Sequence, residues 1–199
     1  VFEGATHLGI EPDPTCVARG ATTVVDAGSA GADIFPGFRK YVIDVSETRI
    51  LAQMNISSQG MLTEEIGEFQ IPEYADVEKA CRMIEKHRDV VLGVKVRLTR
   101  NSIVSERSGM LPLHRAREAA DAAGLPIMVH PQDAWCDSID DILAVMEAGR
   151  HDDTLLSLLP VRYSDQRPYP RLRALRRSNA GSFSMWGTVP ARSRGRSSK

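Results

Sequence analysis

The amino-acid sequence predicts an α/β fold built from about four βα units, and two patterns support this prediction. Up to Gly149, short runs of β-branched and aliphatic residues alternate with segments whose apolar residues recur at helical spacing. The connections are short, which is typical of parallel strands joined by helices. A doubly wound open sheet and a (β/α)8 barrel both fit this pattern. Because a complete barrel takes about 250 residues, this chain of 199 residues supplies about half of one.

The predicted strands and helices follow one another in strict alternation. Strands are predicted over 21–28, 49–57, 91–100 and 125–131, and helices over 35–47, 75–88, 112–124 and 138–149. Gly124 closes one helix in the manner of a C-terminal glycine. Ser138 and Asp141 match the spacing of a capping box, which indicates that the last helix begins there.

The charge of the chain changes abruptly after Gly149. Residues 1–149 hold 14 Lys and Arg against 23 Asp and Glu, a net charge of −9, whereas residues 150–199 hold 11 basic and 3 acidic residues, a net of +8. The second segment has no sustained hydrophobic period. We therefore predict a partial barrel over 1–149 and a basic, irregular tail over 150–199. The tail is interpreted as an out-of-frame or disordered extension, with a nucleic-acid-binding arm as the alternative.

The sequence predicts neither a membrane protein nor a disulfide-stabilised protein. No apolar run reaches the roughly 18 residues of a membrane helix, and no basic-then-apolar leader is present. Cys16, Cys81 and Cys136 lie far apart without a CxxC pair, which argues against a disulfide framework or a structural zinc knuckle. We expect a cytoplasmic protein whose cysteines are packing residues.

The strand VLGVKVRLTR, residues 91–100, places a lysine among valines. Side chains alternate across a strand, so Val94 and Val96 share one face while Lys95 and Arg97 share the other. An ammonium group is costly to bury. The second face must therefore meet groups that accept two cations.

Lys95 and His130 both lie near the C-terminal ends of predicted strands, where barrels and open α/β sheets place their ligand sites. Each residue also has an ordinary structural interpretation. The lysine can reach a carboxylate across the end of the sheet, and the histidine, which precedes Pro131, can be a satisfied structural side chain. Taken singly, the two residues leave both interpretations open.

Three segments together resemble the amidohydrolase superfamily, in particular its dihydroorotase-like deacetylase branch. They are GATTVVDAGSAG at 20–31, GVKVR at 93–97 and PIMVHP at 126–131, and the likeness covers nearly all of residues 1–149. The resemblance implies a (β/α)8 TIM barrel, of which this chain would hold roughly strands two to five. It also implies hydrolysis of amide, cyclic amide or acyl ester bonds in a small acylated substrate. Whether the full-length parent forms a homo-oligomer is left open.

The resemblance implies a metal centre as well. Lys95 would be carboxylated by CO2, and its carbamate would bridge two divalent metals, with His130 as a neutral imidazole ligand. Zinc is the expected metal, with manganese or iron as alternatives. Arg97 would bind a substrate carboxylate or, as we favour, pair with an acidic neighbour.

Other residues of the family pattern have no match in this sequence. The family carries a His-x-His pair on its first strand and a catalytic Asp on its eighth, and neither is found, so the catalytic residue is unknown. His7 is not a replacement, because it is a lone histidine in a predicted loop. We therefore expect an amidohydrolase fragment that is inactive as it stands.

Two further interpretations come from other classes of protein. In a Schiff-base lyase or aldolase, Lys95 would be a nucleophilic amine whose pKa is lowered by burial and by Arg97. A non-catalytic protein would instead bind nucleic acid through residues 150–199, although no aromatic platform accompanies the basic charge there.

Overall fold

Five parallel strands form one sheet in the computed structural model, which describes residues 1–148 and 155–156. The strands are β1 (Thr23–Asp26), β2 (Arg49–Asn55), β3 (Val91–Arg97), β4 (Ile127–His130) and β5 (Leu155–Leu156). Each pairs with the next in chain order, and every pairing is parallel. A doubly wound sheet reverses its strand order, whereas a barrel adds strands in sequence. The prediction of a partial (β/α)8 barrel is confirmed, and the doubly wound alternative is wrong.

Helix α1 (Pro12–Thr15) and a 3-10 turn at Val17–Arg19 precede β1. The crossovers between the strands hold α2 (Phe35–Phe38), α3 (Val77–Lys86), α4 (Leu111–Ala123) and α5 (Ile139–Glu147), with a 3-10 turn at Pro72–Tyr74. The helix predicted over 35–47 is shorter than expected. A π turn at Arg39–Ile43 follows α2, and regular structure then ends, because the β-branched Val42, Ile43 and Val45 are weak helix formers.

The sheet buries one face against these helices. Val94 and Val96 of β3 and Ile127 and Val129 of β4 are fully buried. Small side chains on α4 let that helix approach closely, and α3 presents the predicted apolar face. The buried helix residues include Ala80, Ile84, Leu113, Ala116 and Ala120. Lys95 and Arg97 lie on the opposite face of the sheet, away from the helices.

The predicted helix ends are found at the expected residues. Ser138 and Asp141 form the capping box at the start of α5. Gly124 ends α4 with a φ of 65°, a left-handed conformation in which glycine is preferred. Asp76, which was not predicted, caps α3 by accepting a hydrogen bond from the backbone N–H of Lys79 at 2.9 Å.

The predicted tail over 150–199 lies outside the described residues, apart from β5. This strand lies beyond the boundary predicted at Gly149 and pairs with Met128 and Val129 of β4. The boundary, the out-of-frame interpretation and the nucleic-acid-binding alternative stay predictions.

No helix within residues 1–148 is long and apolar enough to cross a membrane. The cytoplasmic location stays a prediction. Cys16, Cys81 and Cys136 are all free, as expected. Cys16 is buried, in agreement with a packing role.

Candidate active site

Polar side chains cluster at the C-terminal ends of β2, β3 and β4, on the face of the sheet opposite the helices. Asn55 is the register partner of Lys95, and Arg97 is the register partner of His130. Register partners in parallel strands project to the same side. The structure therefore brings together both predicted site residues, Lys95 and His130, along with two further polar groups.

Lys95 is buried, with only 4% of its surface exposed. Its Nζ donates a hydrogen bond to the carbonyl oxygen of Ala27 at 3.0 Å. The aliphatic part of the side chain packs on Gly28, where an added Cβ would lie 2.5 Å from Lys95 Cβ and also overlap Lys95 Cγ. Gly28 has a φ of 94°, so this position requires glycine for both its backbone conformation and its closeness to Lys95.

The turn that carries Ala27 and Gly28 is held by Asp26, the last residue of β1. Its Oδ1 accepts hydrogen bonds from the backbone N–H groups of Gly28 at 3.0 Å and Ser29 at 2.6 Å. Its Oδ2 accepts one from the Ser29 hydroxyl at 2.7 Å. Asp26 therefore positions the carbonyl that receives the Lys95 amine.

Glu68 is the acidic group that faces the two cations, and sequence reasoning missed it. It is 1% exposed and lies in the loop between β2 and α3. Its Oε1 is 3.7 Å from Nη1 of Arg97, which confirms that Arg97 pairs with an acidic neighbour. The loop TEEIGEF contains three glutamates, so the sequence does not indicate which one is buried. The local signal for Glu68 is the neighbouring apolar Phe69, which is fully buried in the structure.

Asn55 holds Glu68 in place. Its Nδ2 donates to Glu68 Oε2 at 2.7 Å and to the carbonyl oxygen of Gly28 at 3.0 Å. Its Oδ1 accepts from the backbone N–H of Ser57 at 2.9 Å. One side chain at the end of β2 thus connects Glu68 with the glycine on which Lys95 packs.

Burial shifts the ionisation of the site toward neutral groups. It lowers the pKa of Lys95, although the nearby Glu68 carboxylate opposes the change. Burial likewise raises the pKa of Glu68, against the opposing effect of the Lys95 charge. The pKa of His130 falls to about 4, first because of burial and then because of the positive charge of Lys95. A neutral imidazole is the form that binds metals, and a neutral amine is the form that reacts with electrophiles.

Several buried polar atoms of the site have no hydrogen-bond partner within the described part of the chain. They include Nε and Nη1 of Arg97 and Oε1 of Glu68. Each such atom costs about 1–3 kcal/mol relative to a satisfied one. Unsatisfied groups in a native structure call for an explanation, and a missing ligand or ion is one.

Among the described residues, no group of three His, Cys, Asp or Glu side chains is placed to hold a metal ion. Lys95 would supply oxygen donors only after its amine is converted to a carbamate anion. His130 Nε2 lies 3.3 Å from Oε1 of Gln132. His7 lies in a turn, with its Nδ1 3.1 Å from the carbonyl oxygen of Met61. The assignment of Lys95 and His130 as metal ligands stays a prediction.

Comparison with curated proteins identifies three bacterial deacetylases. The chain is 30% identical over 150 residues to a deacetylase of Brucella anthropi and to one of Agrobacterium fabrum, which cover 75% of this chain. It is 33% identical over 140 residues, 69% of this chain, to a deacetylase of Enterococcus faecalis. The matched region is 36–37% of the length of these relatives. The chain thus spans little more than a third of the proteins it matches, which accords with a partial barrel.

Solved structures with the same fold include two enzymes. A dihydroorotase superimposes with a TM-score of 0.62 at 31% identity, over 70% of this chain and 44% of that one. An adenine deaminase superimposes with a TM-score of 0.63 at 27% identity, over 71% of this chain and 37% of that one. No family model matches the chain.

Proposed function

The chain belongs to the amidohydrolase superfamily, and from this premise we propose that its barrel serves a metal-dependent hydrolase that cleaves carbon–nitrogen or ester bonds of a small acylated substrate. The observation that carries the proposal is the placement of Lys95. Its amine is buried at the C-terminal end of β3, on the same face of the sheet as His130. Barrel enzymes hold their chemistry at this end of the strands.

The chemistry of the residues fits a divalent metal once Lys95 is carboxylated. The neutral amine adds CO2 and releases one proton, and the product is a carbamate anion. A side chain that would be costly to bury as an ammonium group thereby becomes an oxygen ligand whose charge a metal compensates. His130, which burial keeps neutral, would supply an imidazole ligand. Oxygen and imidazole donors suit zinc, with manganese or iron as alternatives.

When bound, divalent metals would lower the pKa of a water molecule and polarise the substrate carbonyl group. The residues of this chain have their own parts in the site. Asp26 and Gly28 hold the turn against which the Lys95 side chain is aligned. Asn55 fixes Glu68, and Glu68 balances the charge of Arg97 next to the proposed ligands.

The test is the dependence of zinc binding on bicarbonate. We expect bicarbonate to tighten zinc binding by the 199-residue chain, measured by titration calorimetry, and to produce a lysine carbamate resonance in the carbon-13 NMR spectrum when labelled bicarbonate is used. Lys95→Met should lose both effects, and His130→Asn should weaken zinc binding. Lys86→Met and His114→Asn, which change exposed residues on α3 and α4, are the matched controls.

Two results would contradict the proposal. One is zinc binding by the wild-type chain that is the same with and without bicarbonate. The other is zinc binding by the Lys95→Met variant that equals the wild type. Circular dichroism of each variant shows whether a loss reflects the site or the fold.

A Schiff-base mechanism remains the second candidate because a neutral buried amine serves it as well. The relatives named as deacetylases favour the hydrolase. Borohydride reduction in the presence of pyruvate separates the two: a covalent adduct on Lys95, detected by mass spectrometry, indicates the lyase, and its absence counts against the lyase.

A further inference from the structure

A cavity of about 360 Å³ lies beside the N-terminal ends of α4 and α5, and its lining shares no residue with the candidate active site. The segments that follow β3 and β4 form its walls. This volume is in the range of sites that bind small molecules. The residues that line the cavity are Arg100, Met110, Trp135, Cys136, Asp137 and Asp141.

Trp135 gives the cavity an apolar wall with a fixed orientation. Its indole Nε1 donates a hydrogen bond to the carbonyl oxygen of Val104 at 2.9 Å, which holds the ring in place. The guanidinium carbon of Arg100 lies 5.7 Å from the centroid of the ring. Met110, next to the start of α4, adds an unbranched side chain that can adapt to the shape of a ligand. The cavity can therefore receive the apolar body of a small molecule.

The charged groups of the cavity leave an excess of negative charge. Arg100 is balanced by Asp133, whose Oδ1 accepts a hydrogen bond from Nη2 at 2.6 Å. Asp137 and Asp141 form no ion pair among residues 1–148. The capping box of α5 uses Asp141, whose Oδ2 accepts from the backbone N–H of Ser138 at 3.1 Å, but it gives no role to Asp137. The two carboxylates are thus available to a cation.

The thiol of Cys136 is close enough to these carboxylates to be affected by their charge. Burial raises the pKa of Cys136 to about 11, and Asp141 and Asp137 are the next largest causes. The charge of Arg100 opposes them with a smaller effect. An environment that disfavours a thiolate favours a cation for the same electrostatic reason. The net field at the cavity wall is therefore negative, although an arginine is present.

We propose that this cavity binds an organic ammonium ion, in the form of a small primary amine with an apolar body. The ammonium group pairs with Asp137 and Asp141, since its three N–H donors can serve both carboxylates. The apolar body packs on Trp135 and Met110. The same carboxylates repel an anionic ligand. The inference goes beyond the proposed function and does not rest on it, because it involves neither Lys95 nor a metal.

Two probes of the same shape test the class of ligand. Benzylamine is an ammonium ion at neutral pH, and benzyl alcohol is its uncharged analogue. We expect the 199-residue chain to bind benzylamine at least about fivefold more tightly than benzyl alcohol in titration calorimetry, because only the amine forms ion pairs. Trp135→Leu should weaken the binding of both probes alike, since it removes apolar contact area and leaves the charges unchanged.

Replacing both carboxylates tests the role of their charge. The double variant Asp137→Asn, Asp141→Asn keeps the shape of the side chains and should remove the preference for benzylamine. The matched control is the double variant Glu64→Gln, Glu65→Gln, which removes two exposed negative charges from the loop between β2 and α3. The control should keep the preference, because its charges lie outside the cavity. Circular dichroism of each variant shows whether the fold is kept.

Modification of Cys136 gives a second readout that uses the wild-type chain. The thiolate attacks the sulfenyl sulfur of a methanethiosulfonate reagent, a disulfide bond forms, and methanesulfinate leaves. We expect the ratio of rates for a cationic and an anionic reagent to be larger at Cys136 than for free N-acetylcysteine. Benzylamine should slow the modification of Cys136, followed by mass spectrometry of peptides. The half-buried Cys81 is the internal control and should react at the same rate with and without benzylamine.

Three results would overturn the proposal. The first is equal affinity of the wild-type chain for the two probes, or no binding of benzylamine. The second is a preference for benzylamine that the double Asn variant retains. The third is modification of Cys136 at the same rate with and without benzylamine. Because this last measurement needs no variant, it decides the proposal even if a substituted chain does not fold.

Discussion

Replacing Gly28 with alanine tests how the fold presents Lys95. The substitution has two costs in this structure. The backbone φ of 94° is unfavourable for alanine, and a left-handed conformation costs about 1–2 kcal/mol in a residue other than glycine. In addition, the new Cβ would lie 2.5 Å from Lys95 Cβ, and overpacking of this kind costs about 1–3 kcal/mol. We therefore expect Gly28→Ala to lower the free energy of unfolding by about 2–5 kcal/mol.

Gly20→Ala is the matched control for the first cost. Gly20 has a φ of 91°, almost that of Gly28, but nothing lies within 4 Å of the position that an alanine methyl group would take. Its substitution should cost only the backbone strain of about 1–2 kcal/mol. The difference between the two variants then measures the packing of Gly28 against Lys95.

Urea unfolding followed by circular dichroism measures both variants. With a slope of about 2 kcal/mol per molar urea, an extra loss of about 2 kcal/mol moves the midpoint down by about 1 M. Bicarbonate-dependent zinc binding should weaken in Gly28→Ala, because the displaced lysine no longer meets its partners, and should be unchanged in Gly20→Ala. Equal midpoints for the two variants would refute the reasoning.

Three further predictions concern other parts of the fold. Asn55→Ala removes the hydrogen bonds to Gly28, Glu68 and Ser57, and should lower the free energy of unfolding by about 2–4 kcal/mol in urea titrations; a change under about 0.5 kcal/mol would contradict it. Ser138→Ala removes the α5 cap and should cost about 1 kcal/mol by the same assay, whereas no loss would show that the cap is not needed. His87 packs on Phe35 among Lys86, Arg39, Asp89 and Asp44, and burial lowers its pKa below 6.5. As the pH falls, this histidine is protonated at a higher pH in the unfolded chain than in the folded chain. The stability that neutral His87 contributes above about pH 6.5 is therefore lost as the pH falls below that value. His87→Gln should flatten this dependence, the exposed variant His114→Gln should keep it, and identical pH profiles for the two would argue against the role of His87.

Local patterns in the sequence were sufficient to predict most helices and strands of the fold and part of the site. The four βα alternations, the cap at Ser138 and the end of α4 at Gly124 depend on neighbouring residues, and each is found where the pattern predicts it. The alternation along β3 also placed Lys95 and Arg97 on one face. Boundaries were less accurate: β2 ends at Asn55 and β3 at Arg97, each a few residues before the predicted end.

The sequence by itself determined which segments are strands and helices and which face of β3 carries its cations, because propensity and periodicity act over a few residues. Only the tertiary structure decided the strand order, which separates a barrel from a doubly wound sheet. It also decided that Glu68 meets Arg97, that Asn55 holds Glu68, and that Gly28 packs on Lys95. These contacts join residues far apart in the chain, and their distances follow from strand register and the path of a loop, which no local pattern encodes.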